Sequence, residues 1–150
     1  MKLKVLVGAG RQVMGLALPF IVAGIVLNIL RPAWFALGFG TGGLVAGIVL
    51  LVVGVPAWIS SVVLILVRVP QKKLITTGPF AVVLHPLYTS VALLVIPGLC
   101  LLFDSWVGAG IGVVLYISSR IFSPGEEKIL LQYFPQEYAA YRKKVLLPWL

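Results

Sequence analysis

Apolar side chains dominate four stretches of the chain, and polar ones collect in the breaks between them. Val13 to Leu30 and Gly43 to Val67 each approach or exceed the roughly 20 helical residues needed to cross a hydrocarbon core. Two shorter runs follow, Tyr88 to Phe103 and Trp106 to about Ser119, separated only by Asp104 and Ser105. At about 1.5 Å per residue each falls slightly short of a bilayer, so the pattern predicts a tight helical hairpin with tilted or snorkelling ends. A re-entrant segment is the alternative, but its backbone would need protein cover inside the membrane. Beyond Arg120 the pattern changes. Isoleucine, leucine and aromatic residues alternate with charges at helical spacing from Glu126 to Phe134, Pro135 interrupts, and a second short helix carries Tyr138, Tyr141 and Val145 on one face.

The expected fold is therefore all-α: an integral membrane helical bundle of about four transmembrane helices with a C-terminal cytosolic amphipathic helix. Residues 1–67 hold the two N-terminal spans. Residues 68–150 hold a polar loop, the hairpin and the tail, within one structural domain. The glycines of "GFGTGG", residues 38–43, break the link between the first two spans. Gly43 with Gly47, and Gly108 with Gly112, have the spacing that lets helix backbones approach closely. Pro56 and Pro97 predict kinks inside their spans.

Composition excludes an ordinary soluble domain. Of 150 residues, 61% are hydrophobic and 11% charged, and the mean hydropathy is +1.12. The formal charge of +8 raises nucleic acid as a partner, yet the basic residues flank apolar spans and form no patch on a soluble surface. Anionic headgroups of the bilayer fit them better. With four spans, one side carries Lys2, Lys4, Arg11, Arg68, Lys72, Lys73, Arg120, Lys128, Arg142, Lys143 and Lys144, while the other has Arg31 and Asp104. That asymmetry places both termini and the 68–86 loop in the cytoplasm. Lys2 and Lys4 ahead of an apolar run resemble a signal peptide, but the run is long and lacks a clear cleavage site, so it is read as a retained span. The single cysteine, Cys100, falls inside a span, which excludes an intramolecular disulfide and suggests a small apolar core role.

The chemistry-bearing residues are few. His85, the only histidine, precedes Pro86, which pushes it out of helical conformation and suits the first turn of the next helix. It is either a cap for its own helix or part of a site at that helix start, where open N–H groups favour an anion. Glu126 and Glu127 are two of only four acidic residues. Ser123-x-x-Glu126 with Pro124 fits a capping box, whereas the adjacent pair of carboxylates suggests a cation to be held. Tyr88, Tyr133, Phe134, Tyr138, Tyr141 and Trp149 suit an interfacial belt, with one or two available to stack on an adenine ring or face a cation. One histidine and one buried cysteine make no metal set, and no phosphate-binding glycine loop is present.

The order of these elements is more specific than any one of them. "TTGPFAVVLHPLY", a short hairpin, then "EEKILLQYFPQEYAAYRKKV" resembles the C-terminal signature of membrane methyltransferases that include isoprenylcysteine carboxyl methyltransferase and phospholipid N-methyltransferases. The similarity runs from about Lys72 to Val145. It implies S-adenosylmethionine as methyl donor, a lipid-like acceptor reached from the membrane, and a cofactor site on the cytosolic side. Carried over position by position, it implies cofactor contacts from Lys72, Lys73, Leu74 and Ile75, from Phe80, and from His85, Pro86, Leu87 and Tyr88. It also implies contacts from Glu126 with Glu127 in support, and a substrate contact from Arg120. His85, Tyr88 and Glu126 are the implied catalytic group. Leu84 stands where an arginine is usual, and Pro135 where glycine is common. Two other readings remain: a non-enzymatic membrane subunit whose tail docks a partner, and a reductase built on the same scaffold.

Overall fold

The computed structural model describes residues 8–150, so Lys2 and Lys4 of the basic N-terminal flank lie outside the described residues. Among the described residues every regular element is helical. They are α1 (Gly8–Leu30), the short α2 (Pro32–Phe35), α3 (Gly40–Arg68), the short α4 (Pro79–Val82), α5 (Pro86–Leu102), α6 (Val107–Tyr133) and α7 (Pro135–Lys144). Three of them, α1, α3 and α6, are long and apolar enough to cross a membrane. The chain is a membrane protein. The 17-residue α5 is apolar but shorter.

α5 runs antiparallel to both α3 and α6: Gly47 meets Gly98 and Gly54 meets Leu94, while Gly108 meets Cys100 and Gly112 meets Ala92. α1 lies chiefly against α6, α6 against α5, and α5 against α3. Small residues make these contacts close. A Cβ on Gly47 would sit 2.8 Å from the Gly98 carbonyl oxygen, and one on Gly112 would sit 2.6 Å from that of Ala92. The glycine spacing seen in the sequence therefore serves backbone approach between helices. Between these contacts α5 takes one π-helical turn, Val91–Val95, just before Pro97. A wider turn there absorbs the proline's missing N–H.

Two expectations are corrected. The tail does not begin a new helix at Glu126: α6 runs unbroken through Pro124 to Tyr133, at about 40 Å too long for a hydrocarbon core of about 30 Å. Pro124 and Gly125 are exposed, so water can reach the carbonyl of Arg120 that proline leaves without a partner. The capping box does not form either, because Ser123 lies inside the helix with its hydroxyl buried and unpaired. The final residues add a feature with no periodic signature. Leu146 and Leu147 donate backbone hydrogen bonds to the carbonyls of Ala81 and Val82, and Leu84 donates to that of Leu150. This C-terminal strap fastens the loop just ahead of His85.

Candidate functional site

Three separated segments build the site. α3 ends near Arg68, and the chain turns through Lys72, whose positive φ of 55° closes the helix end. The loop then runs past Lys73 to Ile75 and through α4 to His85, whose non-helical backbone (φ −123°, ψ 61°) precedes the start of α5 at Pro86. His85 makes no side-chain cap on its own helix. Its imidazole turns instead toward α6.

On α6, Glu126 and Glu127 meet that ring. His85 Nε2 is 3.3 Å from Glu127 Oε1, a bond in which the nitrogen must donate because a carboxylate only accepts. Tyr88 donates its hydroxyl to Glu126 Oε1 at 3.1 Å. Arg142 of α7 reaches Glu127 Oε2 at 3.4 Å. The fourth carboxylate oxygen, Glu126 Oε2, is 3.8 Å from His85 Nδ1, too long for a hydrogen bond. Glu126 is nonetheless buried. Its carboxyl borders a cavity.

That cavity, about 140 Å³, is lined by Lys73, Leu74, Ile75, Phe80, His85, Pro86, Leu87, Tyr88 and Glu126 among the residues singled out from sequence. Lys72, Glu127 and Arg120 do not line it. Lys72 and Arg120 are exposed, and Glu127 stands behind His85. Leu84 also lines the cavity, buried against Tyr138, Tyr141 and Val145.

The remaining wall was not legible as such in the sequence. Gly10 of α1, Ile65 and Val69 at the end of α3, Leu130 of α6, and Tyr138 and Tyr141 of α7 complete it. A Cβ on Gly10 would lie 3.4 Å from the Tyr88 hydroxyl, so α1 closes over the tyrosine. Tyr138 is 1% exposed, and Tyr141 donates to the Phe80 carbonyl at 2.7 Å. These two are walls of a pocket and not an interfacial belt, while Tyr133 and Trp149 stay exposed. Burial pushes the Tyr141 phenol up to about 12. Burial, with the Glu127 carboxylate adding to it, pushes Tyr138 higher still. Both remain neutral hydrogen-bonding groups near neutrality. The signals for them were their shared helical face with Val145 and their place among six aromatics of which one or two were available to a ligand.

An acid-rich cluster under an aromatic wall, with one lysine at the rim, can hold a ligand that carries both charges. No curated protein and no solved structure matches the chain. The model of the isoprenylcysteine carboxyl methyltransferase (ICMT) family matches residues 39–132, from the start of α3 to the end of α6, and so covers His85, Tyr88, Glu126 and Glu127. The chain belongs to this family of membrane methyltransferases.

Proposed function

We propose that the protein transfers a methyl group from S-adenosylmethionine to a lipid-like acceptor in the membrane, with His85, Tyr88 and Glu126 around the reacting atoms. The observation that carries this reading is the Glu126 carboxyl, about a tenth exposed, whose Oε2 stands 3.8 Å from His85 Nδ1 on a residue that lines an aromatic-walled cavity.

The residues fit the donor's chemistry. When bound, the donor supplies a methyl group on a sulfonium cation, together with an ammonium, a carboxylate and an adenine ring. Glu126 offers the negative charge that a cation requires, and Tyr88 fixes its orientation through Oε1. Lys73 is the cationic side chain on the cavity wall. Phe80, Tyr138 and Tyr141 provide flat apolar faces for the ring. The cavity alone is smaller than the roughly 300–1,000 Å³ of sites for small molecules. A neighbouring cleft of about 410 Å³, beyond the shared wall of Leu74 and Tyr141, supplies further room.

Methyl transfer is an in-line displacement, and the chain's contribution is to hold two reactants at near-attack distance and to exclude water. A thiolate or carboxylate acceptor needs no base. An ammonium acceptor must first lose a proton, and His85 is the group placed to take it. Arg120, exposed on α6 six residues before Glu126, is left to meet the acceptor's polar end from the lipid side. We read α5 as a fourth, short crossing. On that reading the basic residues Arg68, Lys72, Lys73, Lys128 and Arg142 to Lys144 gather at the site end, which makes it the cytosolic one, with both termini there.

Isothermal titration of purified protein with S-adenosylhomocysteine tests the reading. Wild type binds, and a variant carrying Glu126→Ala and His85→Ala binds far more weakly. No binding by wild type, or equal binding by both, refutes it.

A further inference from the structure

We infer that Arg142 is a positioning residue of the site: through Glu127 it fixes the imidazole of His85 with its proton on Nε2. The inference rests on the reading of the cavity as the donor site, but its central measurement does not.

Glu127 spends its two oxygens on different partners. Oε1 accepts from His85 Nε2 at 3.3 Å, and Oε2 meets Arg142 at 3.4 Å. A carboxylate held by one oxygen can swing about its bond to the chain. One held by both, from opposite sides, has its plane and its position set. The three side chains come from three elements, α5, α6 and α7, so the contact also ties the tail helix to the site. Among the described residues no other hydrogen bond reaches the ring, and Tyr138 adds a second contact to Glu127. His85 makes no cap on its own helix, and its other nitrogen lies 3.8 Å from the nearest carboxylate oxygen.

The consequence concerns Nδ1. With the proton committed to Nε2, Nδ1, the nitrogen 3.8 Å from Glu126 Oε2, presents its lone pair. That is the arrangement required of a group that takes a proton from an acceptor. The arrangement of a histidine oriented by a hydrogen bond at its far nitrogen is general. Arg142 is 55% exposed and Glu127 16%, so the pair is worth little for stability. Its effect is on geometry. Lys143 and Lys144 sit beside it without a carboxylate partner within ion-pair distance among the described residues.

His85 is the only histidine in the chain, which makes the test direct. Protein labelled with ¹⁵N-histidine, in detergent micelles at alkaline pH, gives one imidazole signal set. Wild type should show Nε2 protonated. Arg142→Ala and Glu127→Gln should shift the ring toward a mixture of the two tautomers, and Arg142→Lys should largely restore the wild-type pattern. In parallel, affinity for S-adenosylhomocysteine should fall about two- to fivefold in Arg142→Ala, as for loss of a partly exposed ion pair, and recover in Arg142→Lys. Unchanged nitrogen shifts in Arg142→Ala overturn the inference whatever the affinity does. Should Arg142→Ala not fold, Arg142→Gln takes its place under the same criteria. Shifts that respond as expected in a protein that never binds S-adenosylhomocysteine uphold the positioning chain and refute the donor site instead.

Discussion

The two ends of the helical bundle use their few polar side chains in opposite ways. At the end where α1 and α5 finish, polar groups pair in ways that close the fold. Asp104 accepts from the Gly38 N–H at 2.9 Å, Ser105 donates to Asn28 Oδ1 at 2.8 Å, and the Trp106 indole donates to the Trp34 carbonyl at 3.1 Å. Arg31 lies over the Trp34 ring, 5.3 Å from its centroid. At the other end Tyr88, His85, Glu126 and Glu127 bond side chain to side chain across about forty positions of sequence, beside a cavity, and leave one carboxylate oxygen short of a bond. Folding alone is served by the first arrangement, which is complete in itself. The second leaves a nearly buried carboxyl beside a cavity, which on the proposed reading a ligand would complete.

If that contrast is sound, substitutions at the two ends should separate binding from stability. The largest expected effect is on Glu126→Gln. S-adenosylhomocysteine affinity should fall about 10- to 100-fold, the worth of a hydrogen bond to a charged group, with little change in the melting temperature. A large drop in melting temperature with unaltered affinity would make Glu126 a structural residue like Asp104 and erase the distinction.

Gly112→Leu should damage both ends together. Its Cβ would press on the Ala92 carbonyl oxygen, where α5 and α6 cross between the two clusters. Overpacking of this kind costs about 1–3 kcal/mol, read as a lower melting temperature in detergent along with weaker ligand binding. Unchanged melting would mean that the helices can separate there at no cost.

Asp104→Ala, at the closing end, should lower stability by about 1 kcal/mol through loss of its bond to the Gly38 N–H. It should leave S-adenosylhomocysteine affinity at the wild-type value. Altered affinity would show that the ends are coupled.

The last effect belongs to pH. Tyr141 is raised from 10.0 to about 12 by burial, so the folded state favours its neutral form. That contribution is fully present below about pH 10 and is lost as pH rises toward 12. Unfolding should become easier across this alkaline window, and Tyr141→Phe should flatten the slope. An unaltered slope in the variant would assign the alkaline loss to other groups.

Much of the fold was legible because burial in lipid demands long apolar helices with their backbone bonds satisfied internally. Val13 to Leu30, Gly43 to Val67 and the hairpin around Asp104 follow from that demand. Pro124 was misleading, because proline and glycine signal a helix start locally while an exposed position lets the helix continue. At the site, His85, Tyr88 and Glu126 stood out through rarity and through their order along the chain. Gly10, Tyr138, Tyr141 and Arg142 did not, since a glycine near a helix start, tyrosines near a membrane and an arginine among lysines each have an ordinary use.

The sequence by itself determined that the chain lives in a membrane, where its helices lie, and which family's signature it bears, because apolar run lengths and short motifs are local properties. Only the tertiary structure decided that α1 and α7 complete the cavity, that the strap after Val145 fastens the loop ahead of His85, and that one oxygen of Glu126 has no hydrogen bond among the described residues. Those facts depend on distances between residues far apart in the chain, and such distances are set by how whole helices pack.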